Sequence, residues 1–372
     1  MPATETLAEA ERVMIICNAC RYCEGHCAVF PAMERRLAFA AADLNYLANL
    51  CHNCGACYHH CQYAPPHEFA VNVPRVFSDL RAQTWRDYCW PAFLAPLLER
   101  NGLAVSLVAT ASLVLFLLGA FLLVEPAALF GSHAGDFYAV IPHNTMIAIF
   151  GLVALYVFLA LVMGFRGFWR ETGESMADFA GGAPFWQAVH DALRLKYLDG
   201  GSGDGCTYPT ERPSQARRWY HHLTFYGFML CFAATCVATL YHYAFGWQAP
   251  YPPLSVPVVL GTVGGIGLLV GPAGLLRLKR EADPEPYADA QRGMDMAFLV
   301  LLFLTSLTGL VLLALRDTSA MGVSLAVHLG VVLGLFLTLP YGKFVHAVYR
   351  FAALVRYSLE RSRPPSTDLP VE

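Results

Sequence analysis

A chain of 372 residues with 56% hydrophobic and only 14% charged residues, and a mean hydropathy of +0.44, is too apolar for an ordinary soluble enzyme. Its formal net charge of −3 leaves no basic excess for nucleic acid, so no nucleic-acid partner is expected. The first hundred residues hold eight of the 25 basic residues and no long apolar run, which marks a separate soluble domain ahead of a membrane part.

Residues 1–12 lack an apolar core, so no signal peptide is expected. Cys17, Cys20, Cys23 and Cys27 then recur 34 residues later as Cys51, Cys54, Cys57 and Cys61, giving C-x2-C-x2-C-x3-C twice. Three cysteines at this spacing wrap one face of a 4Fe-4S cluster, and the fourth typically ligates the other cluster of a pair. The expected sets are Cys17, Cys20 and Cys23 with Cys61, and Cys51, Cys54 and Cys57 with Cys27. A disulfide framework needs an oxidising compartment, and zinc favours separated C-x2-C pairs. In both copies Pro stands four residues after the last Cys, as Pro31 and Pro65, where the common bacterial run has it directly after; the shared offset marks an internal repeat. Between the runs, residues 33–50 carry strong helix formers at helical spacing, which predicts one helix and the all-helical type of dicluster domain.

From Leu103 onward six apolar stretches are long enough to cross a bilayer: 103–124, 143–165, 222–245, 256–276, 296–315 and 324–346. The fourth is glycine-rich, which suits close helix contact in lipid. Of the 25 basic residues, 24 fall on one side of these spans and only Arg316 on the other, so both termini and the cysteine domain are expected in the cytoplasm, the membrane being the bacterial inner membrane. In the long loop 166–221, residues 185–198 read as an amphipathic helix, and Cys206 in GDGCTYP reads as exposed. Cys89, Cys231 and Cys236 read as small core residues. The final PPSTDLPVE is expected to be disordered. The predicted organisation is therefore all-α: a helical dicluster ferredoxin-type domain over 1–100, a six-helix transmembrane bundle over 101–352 and a polar tail over 353–372.

Histidines at membrane depth are rare and point to function. In the third span His221 or His222 lies at the cytoplasmic end and His242 at the outer end, roughly 30 Å apart at 1.5 Å per residue. The sixth span runs the opposite way, with His328 toward the outer side and His346 at the cytoplasmic end. Two levels of paired imidazoles suit bis-histidine haem b, one or two groups: His242 with His328 outside, and His222 or His221 with His346 inside. His143 is an alternative outer ligand. Histidines at helix ends also sit in the interface for no such reason, and the antiparallel matching favours ligation. His52, His59, His60 and His67 read as surface residues or as neighbours of the cluster ligands, and His190 as structural. Pro340 can open the sixth helix, so Tyr341 or Lys343 are candidates to touch a quinone or a haem propionate; a kink with a snorkelling lysine is the plainer reading.

The double cysteine run, HHLTFYGFMLCFAATCVATLYHY at 221–243, HLGVVLGLFLTLPYGKFVHAVYR at 328–350 and KYLDGGSGDGCTYP at 196–209 together resemble the tricarballylate utilisation protein B, or CitB-type, family over nearly the whole chain. The membrane half is similar to the dihaem gamma subunit of respiratory nitrate reductase. The resemblance implies an electron-transfer protein with two 4Fe-4S clusters and haem b that reoxidises the FAD of a separate tricarballylate dehydrogenase and passes electrons to membrane quinone. Similar proteins serve flavoproteins of cobalamin ring formation. The chain has no G-x-G-x-x-G fingerprint after a strand pattern, so its donor is a partner. No span carries a mid-membrane basic residue of the kind a tricarboxylate transporter needs, and there is no room for the output domain of a redox sensor.

Overall fold

The computed structural model describes residues 3–201 and 203–363. The fold is all-α, and among the described residues the one sheet is a two-stranded ribbon in which Cys206 pairs with Ser214 and Thr207 with Pro213. The N-terminal domain contains α1 (Ala3–Cys20), α2 (Val29–Met33), α3 (Ala41–Leu50), α4 (Ala56–His59) and α5 (Val73–Asp87). Its core is apolar and dense, with Trp85, Tyr46, Phe30, Phe77, Met14 and Leu47 fully buried. Six further helices are long and apolar enough to cross a membrane: α6 (Asn101–Leu123), α7 (His143–Glu171), α9 (Ala216–Phe245), α10 (Val256–Glu281), α11 (Asp289–Leu315) and α12 (Met321–Thr338). Between the second and third of these lies α8 (Gly182–Leu193), and α13 (Val345–Ser362) follows the last. Large apolar side chains such as Leu123, Leu155 and Phe232 stand outward from the spans, as a lipid solvent allows.

The glycine-rich span packs as its composition suggests. A Cβ on Gly227 of α9 would meet the Gly264 carbonyl of α10 at 2.8 Å, and one on Gly264 would meet the Gly227 carbonyl at the same distance. Only glycine permits these backbones to approach so closely.

Three elements differ from expectation. Residues 33–50 do not form one helix, because Arg36 intervenes. Its guanidinium donates to the Ala32 carbonyl at 2.5 Å, closing α2, and to Asp43 at 2.6 Å, while Asn18 takes the Arg36 carbonyl at 2.9 Å. Side chains thus satisfy the backbone that a continuous helix would have bonded internally. The amphipathic helix in the loop ends at Leu193, since Leu195 turns left-handed at φ 46° and residues 196–198 form a separate 3-10 turn. The sixth span does not reach residue 346. After Thr338 the chain tightens into a 3-10 turn over Leu339–Tyr341 and becomes extended at Gly342, and a new helix starts at Val345. Pro340 lacks the N–H that would continue the ladder, and Asn101 of α6 caps the freed Tyr341 carbonyl.

The helix α13 returns onto the N-terminal domain, burying Tyr349, Ala352, Ala353, Val355 and Leu359, so chain expected to be a polar tail from 353 is helical as far as Ser362 and part of the core as far as Leu359. Residues 364–372, the expected disordered end, lie outside the described residues. Arg36 clamps α13 through Glu360 at 2.5 Å, Arg356 joins Asp43 and Glu360 at 3.3 Å each, and both guanidinium groups lie over the Tyr46 ring. Removing one member strands the others at 9–21% side-chain exposure. Arg36→Ala is therefore expected to lower stability by about 3–5 kcal/mol and to raise hydrogen exchange across 345–362 ahead of the rest of the chain.

Candidate functional site: thiol cavities and histidine levels

The first cysteine run straddles a helix end. Cys17 and Cys20 close α1, and Arg21, at φ 54°, turns the chain left-handed while its N–H returns to the Cys17 carbonyl at 2.8 Å. The second run begins at the C-cap of α3 with Cys51 and passes through Asn53 at φ 53° and Gly55 at φ 83° before Cys57 enters α4. Two cavities result. Cys17, Cys20, Cys23 and Cys61 line one and Cys27, Cys51 and Cys54 the other, and Cys57 lines both. The fourth cysteine of each run therefore stands with the first three of the other run.

All eight are free thiols. Burial, then the charges of Cys23, Cys61 and Cys20, pushes the Cys17 thiol up to about 12, and Cys23 reaches about 12 for similar reasons. Neighbouring thiolates cannot coexist at neutral pH without a cation among them, which is the condition that iron satisfies. Backbone donors are already aimed at sulfurs in both cavities: the Asn53 N–H lies 3.4 Å from Cys51 Sγ, the Val29 and Ala56 N–H groups serve Cys27 and Cys54, and those of Tyr63 and Ala64 serve Cys61.

Around the second cavity three arginines converge. Arg81 donates to the Ala48 and Cys51 carbonyls at 2.9 Å each, Arg350 to the Cys51 carbonyl at 2.8 Å, and Arg217 to the Asn53 and His52 carbonyls at 2.6 and 3.0 Å. Among the described residues none of the three joins an ion pair, although Arg81 is only 3% exposed. Burial, then Arg81 and Arg217, pushes the Arg350 guanidinium down from its usual range. One buried and two half-buried cations without a carboxylate call for an anion. A cubane cluster with four thiolates is such an anion, so the residues fit the group.

Those arginines also link the cysteine loop to the histidines. Arg217 precedes His221 by four residues on α9, and Arg350 follows His346 by four on α13, so each lies one turn away on the same helix face. His221 and His346 face each other with ring centroids 6.3 Å apart and planes at 82°. His346 Nδ1 lies 2.5 Å from the Lys343 carbonyl, which only accepts; Nδ1 carries the proton and Nε2 keeps its lone pair. His221 Nδ1 is buried without a partner. Of the two adjacent histidines, His222 instead lies against Trp219 and Tyr226, away from His346. His221 and His346 are the residues here that would hold a haem, which would supply one-electron chemistry, and Arg350, whose Nε is also buried and unpartnered, would be available to an acidic group on it.

At the outer level His143 stacks on His242, centroids 4.1 Å apart, and contacts the Tyr243 hydroxyl at 3.3 Å. His328 is held separately by Thr308 Oγ1 at 3.0 Å. The Thr308 proton goes to the Leu304 carbonyl at 2.8 Å, so His328 Nδ1 donates and its Nε2 is free. A Cβ on Gly309 would come within 3.0 Å of the His328 ring, so glycine makes room for it. Ring contact thus joins His242 to His143 rather than to His328.

Other expected roles meet different surroundings. Lys343 pairs with Asp295 at 2.7 Å, which also binds Lys279 at 2.5 Å, and the Tyr341 hydroxyl donates to the Trp90 carbonyl at 3.1 Å beside Tyr156. Both side chains are engaged within the protein. His52 is buried beside the second run and donates to the Leu50 carbonyl at 2.9 Å, whereas His190 is exposed. Cys236 is exposed on its span and Cys231 half-buried, while Cys89 is buried. Cys206, expected to be exposed, is fully buried against Cys54. Strand pairing and the positive-φ glycines Gly200, Gly201, Gly203 and Gly205 fold its loop inward, and at Gly205 a Cβ would meet Ser214 at 2.3 Å. Sequence reading counted Arg217 and Arg350 only as topology markers; their four-residue spacing from His221 and His346 was the available signal.

Residues 10–89 match the family described as the Citrate utilization protein B Fer4-like domain, and residues 96–367 match the family Citrate utilization protein B. A Citrate utilization protein B from Escherichia coli is 56% identical over 366 residues, covering 97% of this chain and 94% of that protein. No solved structure matches the chain. Paired thiol cavities in a Fer4-like domain, six apolar helices and this near full-length identity establish that the chain belongs to the Citrate utilization protein B family.

Proposed function

We propose that this multi-pass membrane protein carries electrons from the reduced FAD of a partner tricarballylate dehydrogenase, through two 4Fe-4S clusters and haem b, to membrane quinone. The family's printed association with citrate utilization and its Fer4-like domain support a role in tricarboxylate use with iron-sulfur chemistry. The observation that carries the finer reading is the attachment of the Cys51–Asn53 backbone, through Arg350 and Arg217, to the two helices bearing His346 and His221. That attachment seats one cysteine cavity directly on one histidine level.

When bound, clusters and haem supply one-electron chemistry. The protein's part is to hold and to insulate. Cys17, Cys20, Cys23 and Cys61 hold one cluster, Cys27, Cys51, Cys54 and Cys57 the other, and Arg81, Arg217 and Arg350 neutralise negative charge beside the second. His221 and His346 are the inner haem ligands, and Lys343 and Trp90 anchor the turn that positions His346. Outer ligation falls to His242 with His328, or to His143. The excess of basic residues on one side of the spans supports the part of this reading that puts both termini and the cysteine domain in the cytoplasm, at a bacterial inner membrane.

The test is optical. Purified protein, reduced by dithionite and quantified as the pyridine haemochrome, is expected to hold close to two haem b per chain. Membranes given the flavoprotein and tricarballylate are expected to show haem reduction. Absence of haem from protein made in haem-replete cells with its iron-sulfur content intact would reduce the membrane half to a quinone-binding anchor.

A further inference from the structure

Beside Cys54 lie two donors that the proposed ligation does not use. Thr207 is 1% exposed and its hydroxyl has no hydrogen-bond partner; the Tyr287 hydroxyl is buried and equally unpartnered. Thr207 comes from the short ribbon of the cytoplasmic loop, and Tyr287 from the connection between α10 and α11, so two distant segments meet here. Both hydroxyls converge on Gly55, the residue after Cys54, where a Cβ would lie 3.2 Å from Thr207 Oγ1 and 3.3 Å from Tyr287 Oη. Buried hydroxyl groups rarely go without partners. The sulfurs of a group held by Cys54 are the acceptors this geometry leaves open.

The other cavity is built differently. It shares Phe30 and Val73 with the second cavity, and its own walls include Ile16, Val71, Tyr63 and Tyr22, the last 69% exposed. The three unpaired guanidinium groups stand on the carbonyls of residues 48–53, on the side of the second cavity. Adding an electron to a cluster makes its sulfurs more negative, so hydrogen bonds and nearby cations stabilise the reduced form. Burial opposes this by removing water. Two hydroxyl donors and three full positive charges outweigh that loss on the inner side, and the outer side has no comparable set.

We propose that Thr207 and Tyr287 donate to the sulfurs of the cluster held by Cys27, Cys51, Cys54 and Cys57 and make it the higher-potential cluster of the two. The inference rests on the two-cluster reading above. Electrons supplied by a reduced flavin then run from the surface cluster, which is oxidised, to the inner cluster, which is reduced. One electron moves at each step, and no bond or proton changes hands.

The experiment is a redox titration of the solubilised full chain followed by electron paramagnetic resonance, comparing wild type with Thr207→Val, Tyr287→Phe and the double variant. The higher cluster midpoint is expected to fall by about threefold in its redox equilibrium for each single substitution. The double is expected to shift it about tenfold, or about 59 mV for one electron. The lower midpoint stays in place. An unmoved higher midpoint, or a shift in the lower one or in both, overturns the assignment. Should the double variant lose iron, the two single variants, each nearly isosteric, carry the same comparison. A wild-type protein showing fewer than two cluster signals would instead overturn the two-cluster reading, and that result appears before any substitution is made.

Discussion

Cys54→Ala is expected to reduce electron delivery from the flavoprotein to the haem to background, while dithionite still reduces the haem directly. Cys54 is buried in the wall of the second cavity and packs against Cys206, so solvent has little access to supply a substitute ligand for its sulfur. Loss of one of four ligands should remove about half of the non-haem iron, since the paired clusters are held by separate sets of cysteines. Rapid mixing with reduced flavoprotein, read at the haem Soret band, makes the comparison. Dithionite reducibility separates a broken electron path from a collapsed membrane domain. Transfer at the wild-type rate in a variant lacking half its iron would remove the second cluster from the path.

His346→Ala and His221→Ala are each expected to abolish the same haem component, leaving about one haem per chain, whereas His222→Ala spares it. The reason is the facing geometry of His221 and His346, together with the proton placed on His346 Nδ1 by the Lys343 carbonyl. His222 points instead toward Trp219 and Tyr226. Haemochrome content and low-temperature difference spectra of the three variants decide the matter. Equal loss in His222→Ala would mean that α9 presents its other face to the haem, and no loss in His346→Ala would remove α13 from ligation altogether.

The outer level poses a separate question with the same measurement. His328 has its Nε2 free because Thr308 holds Nδ1, while His242 lies against His143. Of His143→Ala and His328→Ala, the variant that loses the second spectral component identifies the partner of His242, and the variant that retains it rules its histidine out.

Much of this architecture is legible in the sequence because it depends on short-range chemistry. Cysteine spacing groups the thiols that meet in each cavity, apolar run length counts the spans, and the glycines of the fourth span announce a close helix contact, seen between Gly227 and Gly264. Each is decided by neighbours along the chain or by the lipid solvent, and tertiary packing has little to add. Even the crossed grouping of the cysteines is implied by a repeat in which the fourth member lies far from the first three.

What the linear pattern could not reveal was decided by contacts between segments hundreds of residues apart. Arg36 bonds Glu360 across the fold, dividing an expected helix and fastening one that had read as tail. Arg217 and Arg350 look in sequence like loop and tail cations that merely set topology, and only folding brings them to the Cys51–Asn53 carbonyls. Cys206, in a glycine-rich stretch that reads as exposed, is carried inward because the positive-φ glycines let the ribbon fold back onto Cys54. Composition and spacing along the sequence determined the membrane class, the span count and the thiol sets. Burial is a property of what packs on top, so the tertiary structure alone decided which cations lose their water, which histidines face each other and which hydroxyl groups are buried without a partner.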